Sequence, residues 1–193
     1  MITANDANTG DYVKFTENNI PFTDLIDAII SSSSVPFVFP PHHYNGTYFI
    51  DGGSTWNINL DSAIQRCLEI VDDPAKITLD VMICGNSSLN TTETVDKTAY
   101  GNFLREKDIH DFFVNYDSIY QEMAAAPTVN YRYLFEEHDK ASGESELNFD
   151  GDATWHLQLM GREDAKKALE EGPGIAFRRH FEERKPKVMM QDP

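Results

Sequence analysis

A chain of 193 residues with 40% apolar side chains suits one soluble globular domain that folds with about 70% of its unfolded surface buried. Its 32 acidic and 16 basic side chains give a formal charge of −16, which repels nucleic acid and anionic lipid surfaces at long range. No run of about 18 apolar residues encodes a spanning helix, and the opening Met1 to Asp6 lacks the positive and apolar regions of a secretory signal.

In chain order, residues 1–15 read as a strand, a Thr9-Gly10 turn and a second short strand from Tyr12 to Phe15. Pro21 leads into a predicted helix from about Thr23 to Ser32, with Leu25, Ile26, Ile29 and Ile30 as its buried stripe and Thr23 as its cap. Pro36, Pro40 and Pro41 argue against regular structure until Thr47. A short strand, Tyr48 to Ile50, then meets the loop Asp51-Gly52-Gly53. Ile64, Cys67, Leu68 and Val71 recur at helical spacing, which predicts a helix from about Leu60 to Val71, stopped by Asp72-Asp73-Pro74.

Ile77 to Cys84 is the strongest strand signal, apolar enough for the centre of a sheet covered on both faces. After a polar stretch, Ser87 to Thr98, a helical region carries Phe112, Phe113, Tyr116, Ile119, Tyr120 and Met123 and ends before Pro127. Val129 to Phe135 alternates as a strand, and Glu136 to Leu147 reads as a charged surface loop. Asp152 is placed to cap a helix reaching Glu171, with Trp155, Leu159 and Leu169 along one face and Gly172 as its stop. The last twenty residues are polar and partly helical in pattern. Strands alternating with helices argue for an α/β architecture.

The residues with chemical potential are few. Asp51 ends an apolar strand, and the two glycines behind it let backbone crowd close to its carboxylate. A partly desolvated carboxylate can serve as the base for a hydroxyl nucleophile, although Asp-Gly-Gly alone is more often a turn. No Gly-x-Ser-x-Gly occurs in the chain. Gly85-Asn86-Ser87-Ser88-Leu89 is the nearest approach, but Leu89 is too large for the tight elbow turn, so Ser87 reads as a loop residue. Ser31 to Ser34 lie before Pro36, where small polar side chains end a helix.

Cys67 and Cys84 suit buried free thiols in a reducing compartment. His42 and His43 read as solvent-facing loop residues, because no metal-ligand spacing completes a site with them. Asp150-Gly151-Asp152 reads as a turn and cap rather than a calcium loop. Asn45-Gly46-Thr47, Asn86-Ser87-Ser88 and Asn90-Thr91-Thr92 match glycosylation acceptors but are read as turns. The helical aromatics from Phe112 to Tyr120 are read as core first and as an acyl-chain lining second.

Asn8-Thr9-Gly10, the helix end Ala28 to Ser34, the Pro36 and Phe39-Pro40-Pro41 turn, Asp51-Gly52-Gly53 and Asn57 occur in an order and at spacings that resemble the later part of a patatin-like phospholipase domain. The resemblance is specific over residues 1–93, looser over 94–172, and followed by a polar tail over 173–193, so that 1–193 reads as a partial domain. It implies a three-layer α/β fold, seen from its second half only. It also implies a lipid acyl hydrolase with a Ser-Asp dyad, Asp51 being the catalytic base and Gly52 and Gly53 its loop. The serine would lie upstream on a Gly-x-Ser-x-Gly elbow, after a glycine-rich oxyanion loop. The chain departs from the family in having Asn57-Ile58-Asn59 where Asn-x-Pro is usual.

The same resemblance implies no metal and no cofactor, a lipid or other acyl ester as substrate, no nucleic acid, and a cytoplasmic protein with at most peripheral membrane contact. It implies a missing N-terminal segment or partner chain, without which this chain is inactive. The alternative is a non-catalytic lipid-binding or interaction module derived from the same fold. A sheet without its early strands leaves an edge open beside Ile77 to Cys84, so self-association is expected.

Overall fold

The computed structural model describes residues 1–86, 98–137 and 150–183. Helix and strand are mixed, in the α/β class expected, and the chain divides into two compact units, Met1–Asn59 and Leu60–Pro193.

The first unit is built on an antiparallel sheet in the order β2-β1-β4-β3, of strands β1 (Ile2–Asp6), β2 (Tyr12–Phe15), β3 (His42–Tyr44) and β4 (Thr47–Asp51). The β1–β2 turn is shaped by Asp6, whose carboxylate accepts from the Asn8 and Thr9 amides at 2.8 and 3.2 Å. Gly10 completes the turn at φ +82°, a region that glycine enters without a Cβ penalty. Asn45 and Gly46 are both left-handed, at φ +48° and +84°, which makes a two-residue hairpin turn matched to strand twist. They join β3 to β4 with His42 opposite Phe49 and Tyr44 opposite Thr47. Strand β3 corrects the expectation that the prolines exclude regular structure up to Thr47. Pro41 stands just before the strand, where no ladder amide is required of it.

Helix α1 (Leu25–Ser32) lies on this sheet, and its orientation overturns the expected stripe. Ile26, Ile29 and Ile30 are 68%, 49% and 43% exposed, while Ala28 and Ser31 are buried. The physical reason is a polar one. Asp24 accepts from the Tyr44 hydroxyl at 2.7 Å, and Asp27 lies 3.0 Å from His42 Nε2. Asp24, Asp27, Ala28 and Ser31 share one helical face, so anchors from β3 and two small side chains turn that face to the sheet. Thr23 does not cap: it sits in a single 3-10 turn, Phe22–Asp24, with its hydroxyl donating to Asp24. The core is Ala4, Phe15, Ala28 and Phe49, with the Phe15 and Phe49 rings edge-to-face at 5.4 Å.

The second unit is a parallel pair, β5 (Thr78–Asn86) and β6 (Asn130–Glu137), joined through α4 (Ala99–Ala125). Helix α3 (Leu60–Leu68) precedes the pair, and α5 (Gly151–Glu171) and α6 (Ile175–Glu183) follow it and pack on β6. Ile64, Ile77 and Val129 form a core with Cys67, Leu68 and Val71 around it, so the predicted side chains do pack, although α3 itself stops at Leu68.

Strand β5 is not apolar-in on both faces. Val81 and Ile83 are buried, whereas Met82 is 80% exposed and Cys84 is exposed. Among the described residues β5 pairs with β6 alone, so the two-residue alternation of a strand decides burial, and the expected buried thiol at Cys84 is corrected. On α5 the cap is Asp150, which accepts from the Asp152 amide at 2.9 Å. Trp155, Leu159 and Leu169 all face outward, and Ala153, Asp164 and Ala168 face inward. The small alanines admit close approach to β6; larger apolar side chains would hold the helix away. Gly172 ends the helix at φ +98°, as expected.

Candidate active site

Asp51 is the last residue of β4 and is half-buried. Its backbone is fixed from two sides. The Asp51 amide donates to the Ser34 carbonyl at 3.0 Å, and the Asp51 carbonyl accepts from Asn5 Nδ2 at 2.9 Å. Register places Asp51 opposite Ala4 on β1. The serine cluster therefore serves structure, as the sequence suggested: Ser33 and Ser34 hydroxyls donate to the carbonyls of Ile29 and Ile30 at 2.8 and 2.7 Å. Closing α1 in this way brings the Ser34 carbonyl to Asp51.

Gly52 and Gly53 are not a loop. The strand passes directly into a short helix, α2 (Gly53–Trp56), with Gly52 already right-handed at φ −63°. At position 52 glycine is required by contact and not by backbone angle. A Cβ at position 52 would stand 2.7 Å from the Thr3 carbonyl oxygen, nearer than carbon approaches a backbone atom. A Cβ at position 53 would stand 2.9 Å from the Asp51 carboxylate and 2.9 Å from the Asn57 amide oxygen. The Gly53 amide uses that space to donate to Asp51 Oδ1 at 2.6 Å. A carboxylate oriented by a backbone donor and left half-exposed can accept a proton from a group brought to it.

Around this centre Tyr12 spans the sheet and the following turn. Its hydroxyl donates to the Trp56 carbonyl at 3.3 Å and accepts from Asn59 Nδ2 at 3.2 Å. Ile58 is buried, so the Asn57-Ile58-Asn59 turn is held by an apolar plug and a tyrosine. His42 and His43 lie on β3, not in a loop. His42 is tied to Asp27, and His43 is exposed beside the Tyr48 ring at 4.8 Å. Ser87 lies outside the described residues, as does His138.

One cluster escaped the sequence. Glu136, read there as a surface-loop residue, is 4% exposed on β6. Its carboxylate accepts from the Tyr116 hydroxyl at 2.5 Å and lies 2.8 Å from His180 Nε2 and 3.7 Å from Arg179 Nη2. The Tyr116 and His180 rings meet at a tilt of 35° with their centroids 4.7 Å apart. A buried carboxylate is tolerated when donors surround it, and here donors from α4 and α6 converge on one strand. The signal was available: counting by two from Leu134 turns Glu136 inward.

The patatin-like phospholipase family model matches residues 2–64, the N-terminal part of the chain, and supports a lipid hydrolase family. The match spans the sheet, α1, Asp51 and its glycines, and stops short of the residue 93 to which the resemblance was expected to extend. No curated protein matches the chain. Among the described residues no helix is long and apolar enough to cross a membrane.

Proposed function

We propose that the chain carries the base of a patatin-type Ser-Asp dyad, in an enzyme that hydrolyses acyl esters of lipids. The observation that carries the reading is Asp51: a strand-end carboxylate oriented by the Gly53 amide at 2.6 Å, beside a Gly52 whose place against the Thr3 carbonyl leaves no room for a Cβ. Since no Gly-x-Ser-x-Gly occurs in the 193 residues, the nucleophile and the oxyanion donors come from an additional segment or partner chain.

In the completed site Asp51 takes the serine proton as the hydroxyl attacks the ester carbonyl. Backbone amides of the added segment hold the oxyanion, Asp51 returns the proton to the departing alcohol, and an acyl-serine remains. Water, deprotonated by the same carboxylate, then releases the fatty acid. The substrate is met in the cytoplasm or at a membrane through peripheral contact, and no step draws on a metal or cofactor.

The test supplies the missing part. Alone, the chain is expected neither to hydrolyse lipid esters nor to label with a serine-directed fluorophosphonate. Joined upstream to a polypeptide bearing a glycine-rich loop and a Gly-x-Ser-x-Gly elbow, it should do both. Asp51→Asn should then lower kcat by about 10²–10⁴, the usual contribution of a positioned base, with the fold intact by circular dichroism. Full hydrolysis by Asp51→Asn would remove Asp51 from the mechanism.

A further inference from the structure

Helix α4 is far longer than the part of it that is packed. Tyr116 and Ile119, in its C-terminal half, are buried, but no residue from Ala99 to His110 is. That exposed stretch carries Tyr100, Phe103, Leu104 and Ile109, each at least 37% exposed. A helix of three turns without packing is marginal in water, and apolar side chains around it call for a covering surface.

Among the described residues, a shallow groove along the helix from Asn102 to Asp117 is lined by residues of α4 alone. Its walls are two ridges: every fourth residue from Asn102 to Val114, and every fourth residue from Arg105 to Asp117. Two helices pack by seating such an i+4 ridge of one in the matching groove of the other. The second ridge reads Arg105, Ile109, Phe113, Asp117, a cation, two apolar side chains and an anion. It is its own complement when reversed, because both Arg105/Asp117 and Ile109/Phe113 are symmetric about position 111.

We propose that α4 is a self-docking surface, on which a second copy of this chain seats the same ridge in antiparallel sense. The contact is isologous, as a two-fold dimer requires: Ile109 of each copy packs on Phe113 of the other, and Arg105 of each copy meets Asp117 of the other. Charge selects this partner. A like-signed pair at the ridge ends is avoided only in the antiparallel arrangement, and this local pairing works against the repulsion between two copies that each carry −16.

Sedimentation equilibrium of the whole chain tests it by charge reversal. The unaltered chain should show a reversible monomer–dimer equilibrium. Arg105→Asp alone and Asp117→Arg alone should each shift its midpoint at least tenfold to higher concentration. The double variant should dimerise again, and an equimolar mixture of the two single variants should form a heterodimer, because each mismatch meets its complement. Circular dichroism checks that every variant stays folded. A chain monomeric at all concentrations would overturn the proposal. So would single variants that associate like the unaltered chain, or reversals that the double variant and the mixture fail to rescue. Those results would leave the groove to a different polypeptide, or self-association to an open sheet edge.

Discussion

The two units use a strand carboxylate in opposite ways. In the first, Asp51 stops half-way to the surface at the end of β4, with a backbone amide on one oxygen. In the second, Glu136 sits inside, closed off by Tyr116 and His180 with Arg179 behind them. A carboxylate meant to exchange protons must stay reachable, and one meant to hold helices to a sheet must be fully engaged. The contrast teaches that burial and donor count separate a candidate base from a structural latch, where residue type does not. The units also differ in how helices are oriented. Polar anchors from β3 turn α1, whereas small alanines let α5 approach β6.

The contrast is broken most forcefully at the latch. Glu136→Ala leaves the Tyr116 hydroxyl and His180 buried without their acceptor, and should lower stability by about 3–5 kcal/mol in urea unfolding. Asp51→Ala, at a half-exposed position, should cost much less. Equal losses from the two would erase the distinction. In the first unit, Gly52→Ala forces a methyl against the Thr3 carbonyl and should cost about 1–3 kcal/mol, as overpacking does. Hydrogen exchange should show the loss in β1 and β4. An alanine that fits without change would mean that the strand-to-helix passage has room the structure does not show.

A smaller effect depends on pH. The Tyr131 hydroxyl donates to the carbonyls of Glu122 and Ala126 at 3.1 and 3.3 Å, and burial followed by the nearby Glu122 charge pushes its pKa up to about 12. The folded state thus holds this proton more tightly than the unfolded chain, whose tyrosines titrate near about 10. Its contribution is complete below that value and is lost as pH rises through about 12. Tyr131→Phe should cost about 1 kcal/mol at neutral pH, and the difference from the unaltered chain should shrink above pH 10. A difference that stays constant from pH 9 to pH 12 would contradict the assignment. The smallest effect tests α1: Ile26→Ser, on the outward face, should change stability by no more than about 0.5 kcal/mol. A loss of several kcal/mol would restore the isoleucine stripe to the core.

Much of the first unit was legible because its signals are local. Asn45-Gly46 and Thr9-Gly10 can make few shapes other than tight turns, and Asp51-Gly52-Gly53 after an apolar strand is compatible with close backbone approach. Periodicity likewise located α4 and β5. Which side of an element faces inward was less legible. Leu25, Ile26, Ile29 and Ile30 form a plausible stripe until Tyr44 and His42 claim Asp24 and Asp27. Trp155, Leu159 and Leu169 do the same on α5, until the alanines opposite them prove the better fit. Glu136 follows the inward alternation of β6 despite its charge, because Tyr116 and His180 meet its carboxylate there.

By itself, then, the sequence determined the tight turns, the existence of most helices and strands, that position 51 carries a carboxylate at a strand end, and that no serine elbow accompanies it. Those properties depend on backbone angles and neighbours a few residues away. Only the tertiary structure decided which faces are buried, that Gly52 is needed for its clearance from Thr3, and that Tyr116, Glu136 and His180 meet across twenty and forty-four residues of chain. These outcomes turn on partners distant in sequence, whose hydrogen bonds and close approach compete with local apolar pattern and, at α1 and α5, prevail over it.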